Sequence, residues 1–203
     1  MENRVWNIYA PFYECVMKSQ KSIYDYLYDQ ISLMVAGKRV LELATGPGMI
    51  AKHIAGSAES VIATDFAPKM IETAQKGECP SNVVFEVADA TDLSYADQSF
   101  DVVIIASALH IMPHPELALK EIDRVLKRGG ILIAPNFVFN ERKNLWQRIL
   151  SLVGVKFAHE WTAEQYATFL QAHGWEIGKS ELLKGRIDLM YVECRRSGES
   201  PMA

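Results

Sequence analysis

No stretch of this chain restricts its fold as much as Val40-Leu41-Glu42-Leu43-Ala44-Thr45-Gly46-Pro47-Gly48. An apolar run of strand length stops at a cluster of glycine and proline. A helical pattern carrying Ile50, Ala51 and Ile54 starts at once. A strand, a glycine turn and a helix satisfy that order. Glycines in such a turn let a ligand approach the backbone closely, and the first N–H groups of the helix are free to meet a negative group. Gly46, Gly48 and Ala51 also satisfy the dinucleotide fingerprint G-x-G-x-x-A. Nucleotide binding is therefore the first expectation, and the kind of nucleotide is open.

The same alternation continues. Residues 39–44, 60–64, 83–88, 100–107 and 130–136 are rich in Val, Ile and Phe. Val102-Val103-Ile104-Ile105 is apolar on both faces, as a central parallel strand covered by helices must be. Between these runs, Pro47, Pro68 and Pro115 are each placed to open a helix. Gly77 and Gly129 read as helix stops. Strands alternating with helices predict right-handed crossovers and a doubly wound α/β sheet. Residues 1–36 read as an N-terminal helical cap broken at Pro11. Residues 137–161 read as a lid inserted after the fifth strand, with Leu145, Ile149, Leu152 and Val153 on one side of a helix. Thr162-x-x-Gln165 is a capping-box signature for a last helix stopped by Gly174. Strands over 175–180 and 187–195 complete one domain, residues 1–196, and 197–203 read as a frayed tail. A length of 203 residues suits a single core.

Acidic residues close three of the strands. Asp65 lies 19 residues beyond Gly46, near the spacing of about 20 expected of a ribose-binding acid. Its two oxygens can accept from both hydroxyls of a ribose; its competing role is a helix N-cap ahead of Ala67-Pro68. Phe66 is placed to lie on an adenine face. Glu42 immediately precedes the turn, where it would repel a pyrophosphate but suit an ammonium group. Asp89 with Ala90 follows the third strand and can read an adenine edge, although a lone Asp there is usually a turn residue.

At these residues the chain resembles the class I methyltransferases that use S-adenosylmethionine (SAM). Among them it is similar to the ubiquinone/menaquinone-biosynthesis C-methyltransferases and related small-molecule enzymes. The resemblance covers about residues 38–136. It runs through Glu42 to Gly48, Asp65-Phe66-Ala67-Pro68-Lys69-Met70, Asp89-Ala90, Ser99-Phe100-Asp101-Val102-Val103, Ser107-Ala108-Leu109-His110 and Arg124-Val125-Leu126-Lys127-Arg128-Gly129-Gly130. It implies a seven-stranded, mostly parallel Rossmann-like sheet whose last strand is antiparallel. It also implies SAM as cofactor and S-adenosylhomocysteine (SAH) as product. By the same resemblance Ala44, Gly46 and Gly48 hold the methionine part and Asp65 the ribose. Asp89 and Ala90 hold the adenine, Met70 within its motif is a further cofactor-binding candidate, and Ala106 and Ser107 lie beside the transferred methyl. Two residues depart from the family pattern: Ala44 stands where glycine is frequent, and Arg128 where proline is. Strand-like dihedrals at position 44 would accommodate alanine.

Methyl transfer is an in-line displacement at a sulfonium, favoured by alignment and a dry pocket. A general base is needed only if the acceptor loses a proton. His110, following the fourth strand at the ligand-binding edge, is the candidate base, with packing or an orienting hydrogen bond as its other reading. Candidate substrate walls are Tyr9, Tyr13, Phe137, Trp146 and His159, unless these rings simply pack on the sheet. His53 and His173 read as solvent-facing or carbonyl-capping.

No metal site is expected, since Pro113 separates His110 from His114 and the cysteines Cys15, Cys79 and Cys194 form no C-x-x-C pair. A net charge of −4 argues against a nucleic-acid partner. The longest apolar stretch, 102–112, is too short to cross a bilayer, and no leader pattern is visible. The expectation is thus a cytoplasmic enzyme, monomer or homodimer, acting on a small, partly apolar methyl acceptor. Two alternatives stay open. An NAD(P)-dependent oxidoreductase would leave Glu42 and Asp89 unexplained and lacks a Tyr-x-x-x-Lys pair. A protein of the same fold could also bind SAM without catalysis.

Overall fold

The computed structural model describes residues 20–139 and 157–198. Its elements, in chain order, are α1 (Lys21–Met34), β1 (Arg39–Leu43), α2 (Met49–Ile54), β2 (Ser60–Asp65), α3 (Pro68–Ala74), β3 (Val83–Val87) and β4 (Phe100–Ile105). They continue with α4 (Pro115–Val125), β5 (Leu126–Ile133), β6 (Asn136–Val138), α5 (Ala163–Ala172), β7 (Trp175–Leu183) and β8 (Asp188–Arg196).

The strands form one sheet in the order β3-β2-β1-β4-β5-β8-β6, with β7 paired to β8. Strands β1 to β5 are mutually parallel, and β8 runs antiparallel to β5, β6 and β7. The mostly parallel sheet expected from the sequence is present. Its eighth strand, β6, is a short continuation beyond β5 that the apolar pattern does not separate from it. β1 lies between β2 and β4, with Leu41 opposite Ile62 on one side and Val103 on the other. The chain leaves β1 toward β2 and β3, then crosses back to β4. That reversal opens a crevice at the carboxyl ends of β1 and β4, where ligands bind in such sheets.

Alternation along the central strands explains why both faces are covered. Leu41, Leu43, Val103 and Ile105 join a core on one face with Leu119, Ile122, Tyr166 and Trp175. Val40, Val102 and Ile104 join the other with Leu27, Ile31, Ile54 and Tyr191. Helix ends follow local chemistry. Pro68 and Pro115 open α3 and α4. The Thr162 hydroxyl accepts from Gln165 N–H at 3.2 Å while the Gln165 carboxamide accepts from Thr162 N–H at 2.9 Å, the reciprocal cap read from sequence.

Two sequence expectations shift. Pro47 does not open a helix: Gly48 is the N-cap and the helix starts at Met49. Gly129 does not stop α4, which ends at Val125 as Leu126 turns extended. Gly129 instead sits inside β5 with φ +70°, in a bulge where Leu126 pairs with Phe100 and Ile131 with Val102. The expected lid begins in the sheet, because Phe137 and Val138 pair with Leu189 and Asp188. The helix expected over 145–153 and the cap residues before 20 lie outside the described residues.

Candidate functional site

The glycine turn joins β1 to α2 with three departures from ordinary backbone, at alternate residues. Ala44, Gly46 and Gly48 all have positive φ, at 54°, 57° and 77°. At Gly48 there is also no room for a side chain. A Cβ there would lie 2.6 Å from Phe85 Cε1, so the ring from edge strand β3 packs directly on the turn. Ala44 corrects the sequence reading, since its dihedrals are left-handed rather than strand-like. Such a conformation costs an L-residue roughly 1–2 kcal/mol, part of which is offset by the greater freedom glycine would have when unfolded. Ala44→Gly is therefore expected to stabilise the protein by about 0.5–1 kcal/mol. A higher urea midpoint with unchanged slope would confirm it; a lower midpoint would show that the Ala44 methyl contributes more by packing than the strain costs.

Asp65, at the end of β2, is fastened to this turn. Its Oδ2 accepts from Gly46 N–H at 2.9 Å and its Oδ1 from Ala67 N–H at 2.8 Å. It does not cap α3, whose N-cap is Ala67. Burial pushes its carboxyl above the usual range, and these two N–H donors oppose that shift.

Beside the turn is a small cavity lined by Tyr24, Glu42, Ala44, Thr45, Ala106 and Ser107, among others. Three buried polar atoms in its walls have no hydrogen-bond partner: Glu42 Oε2, Thr45 Oγ1 and Ser107 Oγ. Glu42 is 2% exposed, and burial pushes its carboxyl up to about 8; the nearby Thr45 hydroxyl and Ala51 N–H oppose the shift, and repulsion from Asp65 adds to it. A buried polar atom without a partner costs on the order of 1–3 kcal/mol, so three around one cavity mark a place where something polar is meant to bind. Ser107, at φ +52°, shares with Ala44 the strain that concentrates at binding sites.

Ala44 also lines a second cavity, of about 160 Å³, with Phe66, Asp89, Ala90, Met112 and Leu117. This end is flat and apolar. Phe66 and Leu117 offer exposed rims, and Asp89 supplies a carboxylate whose Oδ1 accepts from Thr91 N–H at 2.9 Å and its hydroxyl at 2.7 Å. The loop that follows is anchored by Arg124, which binds Glu121, Asp97 and the carbonyls of Leu93 and Tyr95. Met70 packs with Ala67 in a separate two-residue cluster and is not among the residues lining this cavity.

The two cavities share Ala44 as a wall, one acidic and hydroxyl-rich, the other mostly apolar. The donor set suits a nucleoside that carries a positive charge at its far end. It suits a pyrophosphate less, because an anion there could be met only with the Glu42 carboxyl kept protonated. SAM fits that description: Glu42, Thr45 and the turn would hold its amino-acid end, and Phe66, Asp89 and Ala90 its adenine.

His110 lies past β4, in a 3-10 turn spanning Leu109–Ile111. It is 3% exposed, with Nδ1 at 2.8 Å from Asn136 Oδ1. The rings of Phe137, Phe139 and Phe157 surround it at 5.6, 6.2 and 5.4 Å. Burial pushes its imidazole down to about 4, and nearby His159 adds to the effect. His159 N–H donates to the His110 carbonyl at 3.0 Å. The His159 ring stacks on Trp161 at 4.6 Å, and its Nε2 is buried without a partner. Of the expected substrate walls, Phe137 and His159 are thus brought to His110, whereas Tyr9, Tyr13 and Trp146 lie outside the described residues. His53 and His173 take the bland roles expected, stacked on Tyr28 at 4.2 Å and bonded to the Phe169 carbonyl at 2.8 Å. Sequence reasoning missed Tyr24, Thr45 and Asn136. A polar residue closing the apolar fifth strand was the available signal for Asn136.

Residues 41–134 match the family described as "Methyltransferase domain". The chain is 40% identical over 104 residues to a demethylmenaquinone methyltransferase of Clavibacter sepedonicus, covering 51% of this chain and 42% of that protein. It is 36% identical over 151 residues to the ubiquinone/menaquinone biosynthesis C-methyltransferase UbiE of Bdellovibrio bacteriovorus, covering 66% of this chain and 64% of that one. The chain thus spans less than two thirds of these relatives. Among solved structures it is similar to a DhpI–SAH complex, with a TM-score of 0.75 and 22% identity over 98% of this chain and 96% of the other. It is similar too to the [4+2]-cyclase SpnF, with a TM-score of 0.70 and 22% identity over 88% and 81%; likenesses at that level concern the fold alone. Fold, glycine turn and sequence relatives agree: residues 41–134 form a class I SAM-dependent methyltransferase domain, similar in sequence to the ubiquinone/menaquinone C-methyltransferases.

Proposed function

We propose that this protein transfers a methyl group from SAM to a small, partly apolar acceptor of the quinol or phenol class. The observation that carries the reading is the set of three unpartnered polar atoms, Glu42 Oε2, Thr45 Oγ1 and Ser107 Oγ, around the cavity next to the glycine turn. The quinol class is supported by the relatives' names and by the aromatic surroundings of His110. The acceptor is a small molecule, and the protein acts in the cytoplasm as a monomer or homodimer. Among the described residues no helix is long and apolar enough to cross a membrane.

When bound, SAM supplies an electrophilic methyl on a positively charged sulfur. The chain's own part is to bind, orient and dry the site. Glu42 neutralises the amino-acid end, Asp65 accepts from the ribose hydroxyls, and Asp89 and Ala90 read the adenine edge. Gly46 and Gly48 allow the turn to approach closely, and Ala106 and Ser107 flank the transferred methyl. Neutral His110 takes a proton from an acceptor that must lose one.

Transfer from labelled SAM to a panel of quinols, phenols, amines and thiols tests the reading. SAH binding without transfer to any of them would favour a binding protein, and stabilisation by NAD alone would overturn the cofactor. Asp65→Asn is expected to weaken SAH binding at least tenfold. It removes charge-assisted contacts worth about 1.5–3 kcal/mol while keeping an oxygen for the Ala67 N–H. Unchanged affinity by titration calorimetry would reduce Asp65 to a clamp for the turn.

A further inference from the structure

We infer that Asn136 is a positioning residue: its carboxamide fixes neutral His110 in the tautomer whose Nε2 lone pair receives the acceptor's proton. The inference rests on the methyltransferase reading above and adds a residue to it. Asn136 is 1% exposed and begins β6, immediately past the end of β5. Its orientation is set on three sides. Its backbone pairs with Met190 of β8, its Nδ2 donates to the Phe137 carbonyl at 3.3 Å, and its Oδ1 is left facing His110 Nδ1 at 2.8 Å. Because Nδ2 is committed to a carbonyl, the oxygen is the atom that meets the imidazole. An oxygen in that place accepts, so Nδ1 must carry the proton and Nε2 must be bare.

The surroundings keep the ring neutral. Phe137, Phe139 and Phe157 enclose it, and the titratable group facing it, among the described residues, is His159, which disfavours a second positive charge. The pair is also tied through the backbone to Ser107, which lines the cavity beside the glycine turn. Ser107 N–H donates to the Pro135 carbonyl at 2.7 Å, so the ends of β4 and β5 are joined one residue before Asn136 and three before His110. In the reaction, the acceptor's O–H or C–H proton passes to Nε2. The electron pair left on the acceptor forms the new bond to the methyl carbon. The methyl–sulfur pair stays with sulfur, which becomes neutral, and the imidazolium returns its proton to water.

The test uses full-length protein with [15N]histidine. In the wild type at pH 7, long-range 1H–15N correlation is expected to show His110 protonated at Nδ1 and bare at Nε2. Asn136→Leu should lose that preference and lower kcat about tenfold or more toward a reduced 2-prenyl-1,4-naphthoquinone, with KM and SAH affinity within twofold. Asn136→Asp places a carboxylate beside the ring. The pH at which His110 titrates should then rise by about one to three pH units, and the acid limb of kcat/KM should move with it. A wild-type His110 protonated at Nε2 overturns the inference. So does an Asn136→Asp profile that stays put while the imidazole titration moves. Loss of SAH binding in the wild type would instead sink the methyltransferase reading. If SAH binds but this quinol is not methylated, the quinol assignment falls and the tautomer decides the role of Asn136 alone.

Discussion

Gly48→Ala is expected to unfold the protein several kcal/mol more easily and to abolish measurable SAH binding. Two costs coincide at this residue. Its φ of +77° is a conformation that costs an L-side chain roughly 1–2 kcal/mol. Its missing Cβ would fall 2.6 Å from Phe85, with Ala74 Cβ at 3.0 Å on another side. Overpacking of that kind costs about 1–3 kcal/mol more. The turn can escape only by moving away from β3, which carries Gly46 off Asp65 and displaces Thr45 from the cavity. Phe85→Ala in the Gly48→Ala background separates the two costs. Removing the ring should recover about 1 kcal/mol or more of coupling in urea unfolding while the backbone strain persists. Strict additivity would show that Phe85 does not set the turn.

Glu42→Gln is expected to act in opposite directions on stability and on binding. Burial pushes this carboxyl up to about 8, well above the usual carboxylate range near 4.5. An acid with a raised native pKa binds a proton in the folded state that the unfolded chain releases. Stability is therefore full below about pH 4.5 and declines as pH rises to about 8. At pH 7 that decline is worth up to about 3 kcal/mol, so the neutral glutamine should raise the midpoint of the cofactor-free protein. For a cationic ligand the sign reverses. An ammonium beside Glu42 favours the carboxylate, so binding expels a proton and strengthens as pH rises from 6 to about 8. Glutamine offers no charge, and SAH affinity should fall at least tenfold and lose this pH dependence. Titration calorimetry in buffers of different ionisation enthalpy measures the proton directly. No proton release by the wild type, together with an unaltered affinity in Glu42→Gln, would remove Glu42 from the cofactor's surroundings.

How much of this was legible in the sequence depends on the range over which each feature is decided. The strands, the helix-opening prolines at 68 and 115 and the Thr162 cap rest on contacts within a few residues, and the pattern announces them. The residues of the proposed cofactor site were legible too, because Glu42, Asp65 and Asp89 lie at or just past strand ends and a parallel sheet gathers those ends at one edge. Features that depend on distant partners were hidden. The dihedrals of Ala44 are set by the turn as a whole, and an alanine carries no sign of a positive φ. Gly129 was misread because a helix stop and a strand bulge use the same residue for the same conformational reason. Met70, a cofactor contact by its place in the motif, is buried against Ala67, a packing that the motif does not announce. Asn136 and His110 lie 26 positions apart and meet only because β5 and β6 run beside the chain that leaves β4.

The antiparallel strand β8 binds the sheet on both sides of a break. Leu132 and Ile133 face Cys194 and Glu193 before it, Ala134 N–H donates to the Val192 carbonyl at 3.1 Å, and Asn136 faces Met190 after it. No residue of β8 touches either cavity. A polypeptide trimmed ahead of position 188 would nonetheless leave the Pro135 corner without its splint, letting Asn136 swing and the imidazole choose its own proton. Leu189, Tyr191, Val192 and Cys194 of this strand are fully buried, so the same shortening would strip core from both faces of the sheet, and bracing of the imidazole is one part of what β8 does.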